Sequence, residues 1–81
     1  MSSKDHISPS PLILVVEDDR FVRELGEIYL ASEGYRVTSV TDGVGVRAAM
    51  SREPAALVLM DLKLPGEDGL SLTRYLREHY D

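Results

Sequence analysis

Two short apolar runs, each followed at once by acidic residues, decide the fold of this 81-residue chain. Residues 12–19 read Leu-Ile-Leu-Val-Val-Glu-Asp-Asp, and residues 56–61 read Ala-Leu-Val-Leu-Met-Asp. A run that is apolar at every position is typical of a strand buried on both faces of a parallel sheet. The sequence therefore predicts strand 1 over 12–16 and a central strand 3 over 56–60, each ending at a carboxylate.

The segment between these strands predicts a helix and a second strand. Asp19 is placed to cap a helix and Gly34 to end it. Within that helix one stripe carries the apolar residues Phe21, Val22, Leu25, Ile28 and Tyr29. Residues 35–40 then alternate apolar and polar side chains, which predicts a strand 2 with a wetter face, suited to a sheet edge.

Two further helices complete the predicted order. A helix over 44–52 contains Gly45 and cannot continue through Pro54. A loop with strong turn chemistry covers 64–69, and a third helix spans 70–79. The chain is thus predicted to be an α/β protein of order β-α-β-α-β-α with strand order 2-1-3, which makes a topological switch point between strands 1 and 3. Ligands of open α/β sheets bind at such a point, beyond the carboxyl ends of the strands.

Composition excludes several classes of protein. Fourteen acidic residues against nine basic ones give a net charge of −5, which repels nucleic acid and anionic lipid. Cysteine is absent, no apolar run is long enough to span a bilayer, and the N-terminus lacks a secretory apolar region. We expect a cytoplasmic protein with a flexible N-terminal tail over 1–11, which contains two prolines, ahead of one domain over 12–81.

The acidic residues at the strand ends predict a metal site. Glu17 and Asp18 follow strand 1, and Asp61 follows strand 3, so neighbouring strands bring three carboxylates into one pocket. Crowded like charges repel, and a hard cation relieves the repulsion. Oxygen ligands with no histidine or cysteine nearby favour Mg²⁺ or Mn²⁺ over zinc. Asp19, by contrast, is explained by the helix dipole alone.

These motifs resemble the response-regulator receiver domain of two-component signalling. The resemblance rests on residues 12–19 together with residues 57–69, Leu-Val-Leu-Met-Asp-Leu-Lys-Leu-Pro-Gly-Glu-Asp-Gly, and runs from about Leu12 to the last residue. It implies a partial flavodoxin-like receiver fold and a signalling module that is not an enzyme.

The resemblance also implies a role for each site residue. Asp61 resembles the aspartate that accepts a phosphoryl group from a sensor histidine kinase or a phosphotransfer protein. Asp18 resembles the direct magnesium ligand, and Glu17 the acid that holds the metal through water. Lys63 would supply its backbone carbonyl, and its side chain would not be a ligand.

The chain also departs from the family pattern. A complete receiver has two more strands and helices, which carry a Ser or Thr and a Lys that grip the phosphoryl oxygens, whereas the lysines here are Lys4 and Lys63. We therefore expect slow phosphorylation. We also expect helix 1 to lie alone on its face, and the open edge of strand 3 to be completed by a homodimer, through strand 3 or by strand exchange.

Two other functions compete with this interpretation. A truncated receiver could act as a binding or dimerisation module without being phosphorylated. A metal-dependent domain of the toprim type also places acids after strands, but that family uses Asp-x-Asp, and residues 61–63 here are Asp-Leu-Lys.

Overall fold

The computed structural model describes residues 11–61, 63–64 and 66–80. Apart from residue 11, the predicted tail lies outside the described residues. The elements, in chain order, are β1 Leu12–Val16, α1 Arg20–Ser32, β2 Arg36–Val40, α2 Gly43–Arg52, β3 Leu57–Met60, β4 Lys63–Leu64, β5 Glu67–Asp68 and α3 Gly69–Tyr80. The α/β class is confirmed, and the predicted strands and the second and third helices agree with these bounds to within one residue.

A parallel three-stranded sheet of order β2-β1-β3 forms the middle of the structure, as the sequence predicts. All five residues of β1 are buried, whereas β2 is half-buried throughout. β2 lies at the sheet edge, as the sequence predicts, but its residues are half-buried alike and do not show the predicted wetter face. β1 is central because it is the strand that can lose contact with water on both faces.

The hydrophobic core lies between the sheet and helices α2 and α3. Its fully buried members are Leu14 and Val16 from β1, Val46 from α2 and Leu72 from α3. Because successive side chains of a strand point to opposite faces, Val15 faces the other side of the sheet. There it meets Gly26 of α1, where an added Cβ would lie 3.9 Å from Val15 Cγ1.

Helix α1 covers that second face alone among the described helices. Asp19 caps it, and Gly34, with a φ of 95°, follows its end, as the sequence predicts. The apolar stripe is nevertheless open to solvent: Phe21 is 78% exposed and Ile28 68%. The helical period was therefore predicted correctly. The period does not indicate that the stripe is buried, because no second described helix lies beside α1 and covers it.

Strand β3 differs from the prediction of a central strand, whereas the predicted order 2-1-3 with an open edge on strand 3 agrees with the described sheet. It pairs with β1 on one side and has no partner on the other among the strands that the structure describes. Leu57 and Leu59 are 50% and 41% exposed, while Val58 packs against the core. A uniformly apolar sequence indicates that both faces can be covered, but it does not say whether the covering elements lie within the described chain.

The loop predicted over 64–69 overlaps a short antiparallel pair that begins one residue earlier, at Lys63. β4 and β5 pair Lys63 with Asp68 and Leu64 with Glu67, and Gly66 lies between them. Two-residue strands are too short to show a period of two, so the sequence indicated only the turn.

Among the described residues, no helix is both long enough and apolar enough to cross a membrane.

Close packing of α2 against β2 requires a glycine at position 45. A Cβ at this position would lie 2.8 Å from the Cβ of Val40, at the end of β2. Real side chains do not approach so closely, so the helix can pack against β2 only where a side chain is missing. Gly26 in α1 has ordinary room, with its closest neighbour at 3.9 Å.

The two glycines give substitutions of opposite sign. We expect Gly45→Ala to lower the free energy of unfolding by about 1 to 3 kcal/mol through overpacking. Gly26→Ala should raise it by about 0.5 to 1 kcal/mol, because alanine favours a helix interior over glycine. Urea unfolding followed by circular dichroism measures both, and equal effects of the two variants would contradict the packing at Gly45.

Candidate metal centre

The pairing of β1 with β3 brings the acidic residues to one level of the sheet. The register aligns Val16 with Met60, and the ladder continues beyond the strands, where the Asp61 amide donates to the Val16 carbonyl over 3.4 Å. Glu17 and Asp61 therefore leave the sheet at the same edge, at the switch point between β1 and β3. This is the position at which open α/β sheets bind ligands.

The three predicted ligands lie together. Glu17, Asp18 and Asp61 each offer a carboxylate oxygen, and these atoms all lie within 4.8 Å of one another. Glu17 is half-buried, and the two aspartates are exposed. Three carboxylates at this separation repel, and their hard oxygen atoms suit a small divalent cation such as Mg²⁺, which keeps several waters when it binds. The donor set therefore fits the metal that the sequence predicts.

Hydrogen bonds in the turn after β1 distinguish Asp19 from the cluster residue Glu17. The Glu17 amide donates to the Val40 carbonyl over 3.1 Å, which ties the turn to β2. The Asp19 amide donates to Glu17 Oε2 over 3.1 Å, and Asp19 Oδ1 in turn accepts from the Val22 amide over 3.0 Å. Asp19 is thus the helix cap, as its position predicts, and it takes no part in the carboxylate cluster.

Arg23 is a neighbour of the site that the sequence did not single out. Its Nη1 donates to the Glu17 backbone carbonyl over 3.1 Å in a partly buried contact. No motif marks this arginine, because its contact is with a backbone oxygen and depends on how α1 lies on the sheet. One signal could have found it. Arg23 lies six residues after Glu17, so once α1 is placed on the sheet, its side chain can reach back to the end of β1.

The site borders a cavity of about 380 Å³ between α1 and β3. Glu17 and Asp61 line it together with apolar groups that include Val22 and Leu59. The carboxylates therefore stand beside an apolar surface, which strengthens electrostatic interactions near them relative to those in open water.

Lys63 begins β4, two residues after Asp61 in the sequence. The structure describes its backbone, which pairs with Asp68, and leaves its side chain outside the described set. Its role as a carbonyl donor stays a prediction.

The clearest charge pair lies at the opposite end of the sheet. Arg36 at the start of β2 donates two hydrogen bonds to Glu53 at the end of α2, over 3.2 and 2.6 Å. The hydrogen bond from Arg36 lowers the pKa of the Glu53 carboxyl, and the same bond raises the pKa of Arg36. This pair connects β2 with the end of α2 and is separate from the carboxylate cluster.

A family model described as the response regulator receiver domain matches residues 13–81. The chain belongs to this family. The receiver resembles transcriptional regulatory protein GltR of Pseudomonas aeruginosa, with 48% identity over 67 residues, 83% of this chain and 28% of GltR. It is also similar to the torCAD operon regulator TorR of Escherichia coli O157:H7, with 42% identity over 66 residues, 82% of this chain and 29% of TorR.

Solved receiver domains share the fold. The receiver domain of TorR, the TMAO respiratory system response regulator, matches with a TM-score of 0.79 and 40% identity over 84% of this chain and 57% of its own. The BeF3-activated N-terminal receiver domain of Klebsiella pneumoniae RstA matches with a TM-score of 0.80 and 37% identity, over 86% of this chain and 60% of its own. This receiver thus spans less than a third of the curated relatives and about three-fifths of the solved domains.

Proposed function

We propose that the chain is the phosphoacceptor module of a two-component system and that Asp61 takes a phosphoryl group from the phosphohistidine of a sensor kinase or a phosphotransfer protein. The observation that carries this proposal is the exposed Asp61 carboxylate, whose oxygen lies within 4.8 Å of the Glu17 and Asp18 oxygens. An acceptor must be reachable by a large donor protein, and the exposure of Asp61 at the sheet edge allows that approach.

The proposed step is a displacement at phosphorus. An Asp61 carboxylate oxygen forms a bond to phosphorus while the bond from phosphorus to the donor's imidazole nitrogen breaks, and the imidazole leaves with the electron pair of that bond. The product is an acyl phosphate on Asp61. A carboxylate oxygen has no proton to give up when it attacks, so this nucleophile needs no general base.

Glu17, Asp18, Asp61 and the backbone carbonyl of Lys63 would hold Mg²⁺, or Mn²⁺ in its place. When bound, the cation neutralises charge on the phosphoryl oxygens and on the carboxylates. The protein's own contribution is to keep these oxygens together on a rigid sheet edge before the donor arrives.

The proposal describes a cytoplasmic signalling module and not an enzyme. The net charge of −5 argues against direct binding of nucleic acid or of an anionic membrane surface. A binding or dimerisation module without phosphorylation is the alternative, and a phosphoryl adduct on Asp61 would distinguish the two.

A small phosphodonor tests Asp61 directly. Treatment of the 81-residue chain with acetyl phosphate and Mg²⁺ should give one phosphoryl adduct on Asp61, detected by intact-mass and peptide mass spectrometry, and Asp61→Asn should give none. Labelling should be slower than that of a complete receiver such as the TorR domain, because the Ser or Thr and the Lys that the resemblance assigns to the phosphoryl oxygens of a complete receiver have no counterpart among these 81 residues. Absence of any adduct, with Mg²⁺ bound, would favour the binding-module alternative.

We further propose that the chain forms a homodimer through β3. The outer edge of β3 has no described partner, and an uncovered apolar edge offers its N–H and C=O groups to another chain. Two copies of β3 paired antiparallel about a twofold axis normal to the sheet would form one six-stranded sheet with both α1 helices on the same face. Exchange of a strand between copies would give the same cover.

The exposed apolar surface supports this arrangement. Leu59 lines the cavity beneath α1, on the same face as the open helix, so pairing at β3 extends one apolar surface across both copies. Where the two copies meet at β3, contact between their exposed Leu57 and Leu59 side chains would bury apolar area and so stabilise a chain whose own core is small.

Leu59→Lys tests the dimer without disturbing the core, because Leu59 is 41% exposed whereas the adjacent Val58 packs inside. The wild type should sediment as a dimer at micromolar concentration and melt at a temperature that rises with protein concentration. Leu59→Lys should sediment as a monomer, while Val44→Lys, at a 76% exposed position on α2, should behave as the wild type. A monomeric wild type with a concentration-independent melting temperature would refute the proposal.

A further inference from the structure

We infer that Arg23 is a positioning residue of the metal centre, which holds the turn between β1 and α1 in the shape that directs Glu17 and Asp18 toward Asp61. The inference rests on the proposed metal site and assigns a task to a side chain outside the carboxylate cluster. Among the described hydrogen bonds, Arg23 makes none to a carboxylate oxygen of Glu17, Asp18 or Asp61. It acts through the Glu17 backbone.

The contact lies at the point where it can set the direction of two ligands. Arg23 Nη1 is 3.1 Å from the Glu17 carbonyl oxygen, and that carbonyl belongs to the peptide unit that joins Glu17 to Asp18. Because a peptide unit is planar, fixing its oxygen fixes the rotation of the whole unit. The rotation in turn sets where the Asp18 side chain leaves the backbone.

Other hydrogen bonds hold the Glu17 amide and the Glu17 carboxylate, whereas Arg23 holds the peptide unit between Glu17 and Asp18. The Glu17 amide is held by the Val40 carbonyl, and the Glu17 carboxylate by the Asp19 amide. For the Glu17 carbonyl, the Arg23 guanidinium is the described donor, and a charged donor makes a stronger bond than a neutral one. The Asp18 side chain has no hydrogen-bond partner among the described residues, so its direction depends on the backbone.

Electrostatics alone predicts the opposite effect of removing Arg23. A guanidinium beside a carboxylate cluster repels a divalent cation, so loss of its charge should tighten metal binding. Loss of a residue that positions the ligands should weaken binding, because partners that orient ligands are commonly worth tenfold or more in metal affinity. The sign of the change therefore separates the two roles.

The experiment is a Mn²⁺ titration of the 81-residue chain, in which electron paramagnetic resonance counts the free ion. Arg23→Gln removes the charge and is too short to reach the Glu17 carbonyl, and we expect it to bind Mn²⁺ about tenfold more weakly than the wild type. Arg20→Gln is the matched control, since Arg20 lies on the same helix and pairs with Glu24 over 3.1 Å on the surface. It should bind as tightly as the wild type or slightly more tightly. Arg23→Lys keeps the charge and should fall between the wild type and Arg23→Gln.

The outcomes separate this inference from the proposed function. A folded Arg23→Gln that binds Mn²⁺ as tightly as the wild type, or more tightly, overturns the role of Arg23 while the metal site stands. A wild type that binds no Mn²⁺ overturns both, whereas a chain that binds Mn²⁺ but takes no phosphoryl group leaves the comparison of variants valid. If circular dichroism shows Arg23→Gln unfolded, Arg23→Lys decides: weaker binding supports the role, and wild-type affinity overturns it.

Discussion

Parallel hydrogen bonding between β1 and β3 is the constraint on which the site depends. The two strands are far apart in the sequence, and their alignment of Val16 with Met60 places the residues that follow each of them at one edge. A shift of the register by one residue would move Asp61 along the sheet and turn its side chain to the other face. Core packing opposes such a shift, because Val58 and Met60 of β3 pack against the buried cluster that contains Leu14 and Val16 of β1. Core packing and ligand geometry are thus two results of the same strand pairing.

Much of this arrangement could be predicted from the sequence because it is encoded in local patterns. The uniformly apolar run over 12–16 gave the central strand, and the alternating run over 35–40 gave an edge strand. A carboxylate directly after each apolar strand predicted the carboxylate cluster, since parallel strands end at a common edge. These inferences needed only a residue's own neighbours in the chain and the topology of an α/β sheet.

The remaining features depend on how elements lie against one another in space. The bond from Arg23 to the Glu17 carbonyl joins a helix to a strand end, and its partner is a backbone atom that no residue type reveals. Gly45 looks unfavourable within a helix until the Cβ of Val40 is placed beside it. Phe21 and Leu59 are exposed because no described element lies against the outer side of α1 or the outer edge of β3. An apolar pattern in the sequence looks the same whether such an element belongs to this chain or to another one. The patterns therefore predicted which surfaces are apolar, and only the order of the elements predicted that α1 and the outer edge of β3 have no neighbour among the described helices and strands.

The central claim is that Glu17, Asp18 and Asp61 form one divalent-metal site at the carboxyl ends of β1 and β3. It is tested most directly by adding a small fraction of Mn²⁺ to the ¹⁵N-labelled chain and recording the paramagnetic broadening of each backbone amide. The account predicts broadening centred on the amides around Glu17, Asp18 and Asp61, weak or absent broadening at the distant Arg36–Glu53 pair, and loss of the effect in Asp18→Ala. Broadening centred elsewhere, or broadening that Asp18→Ala leaves unchanged, would contradict it.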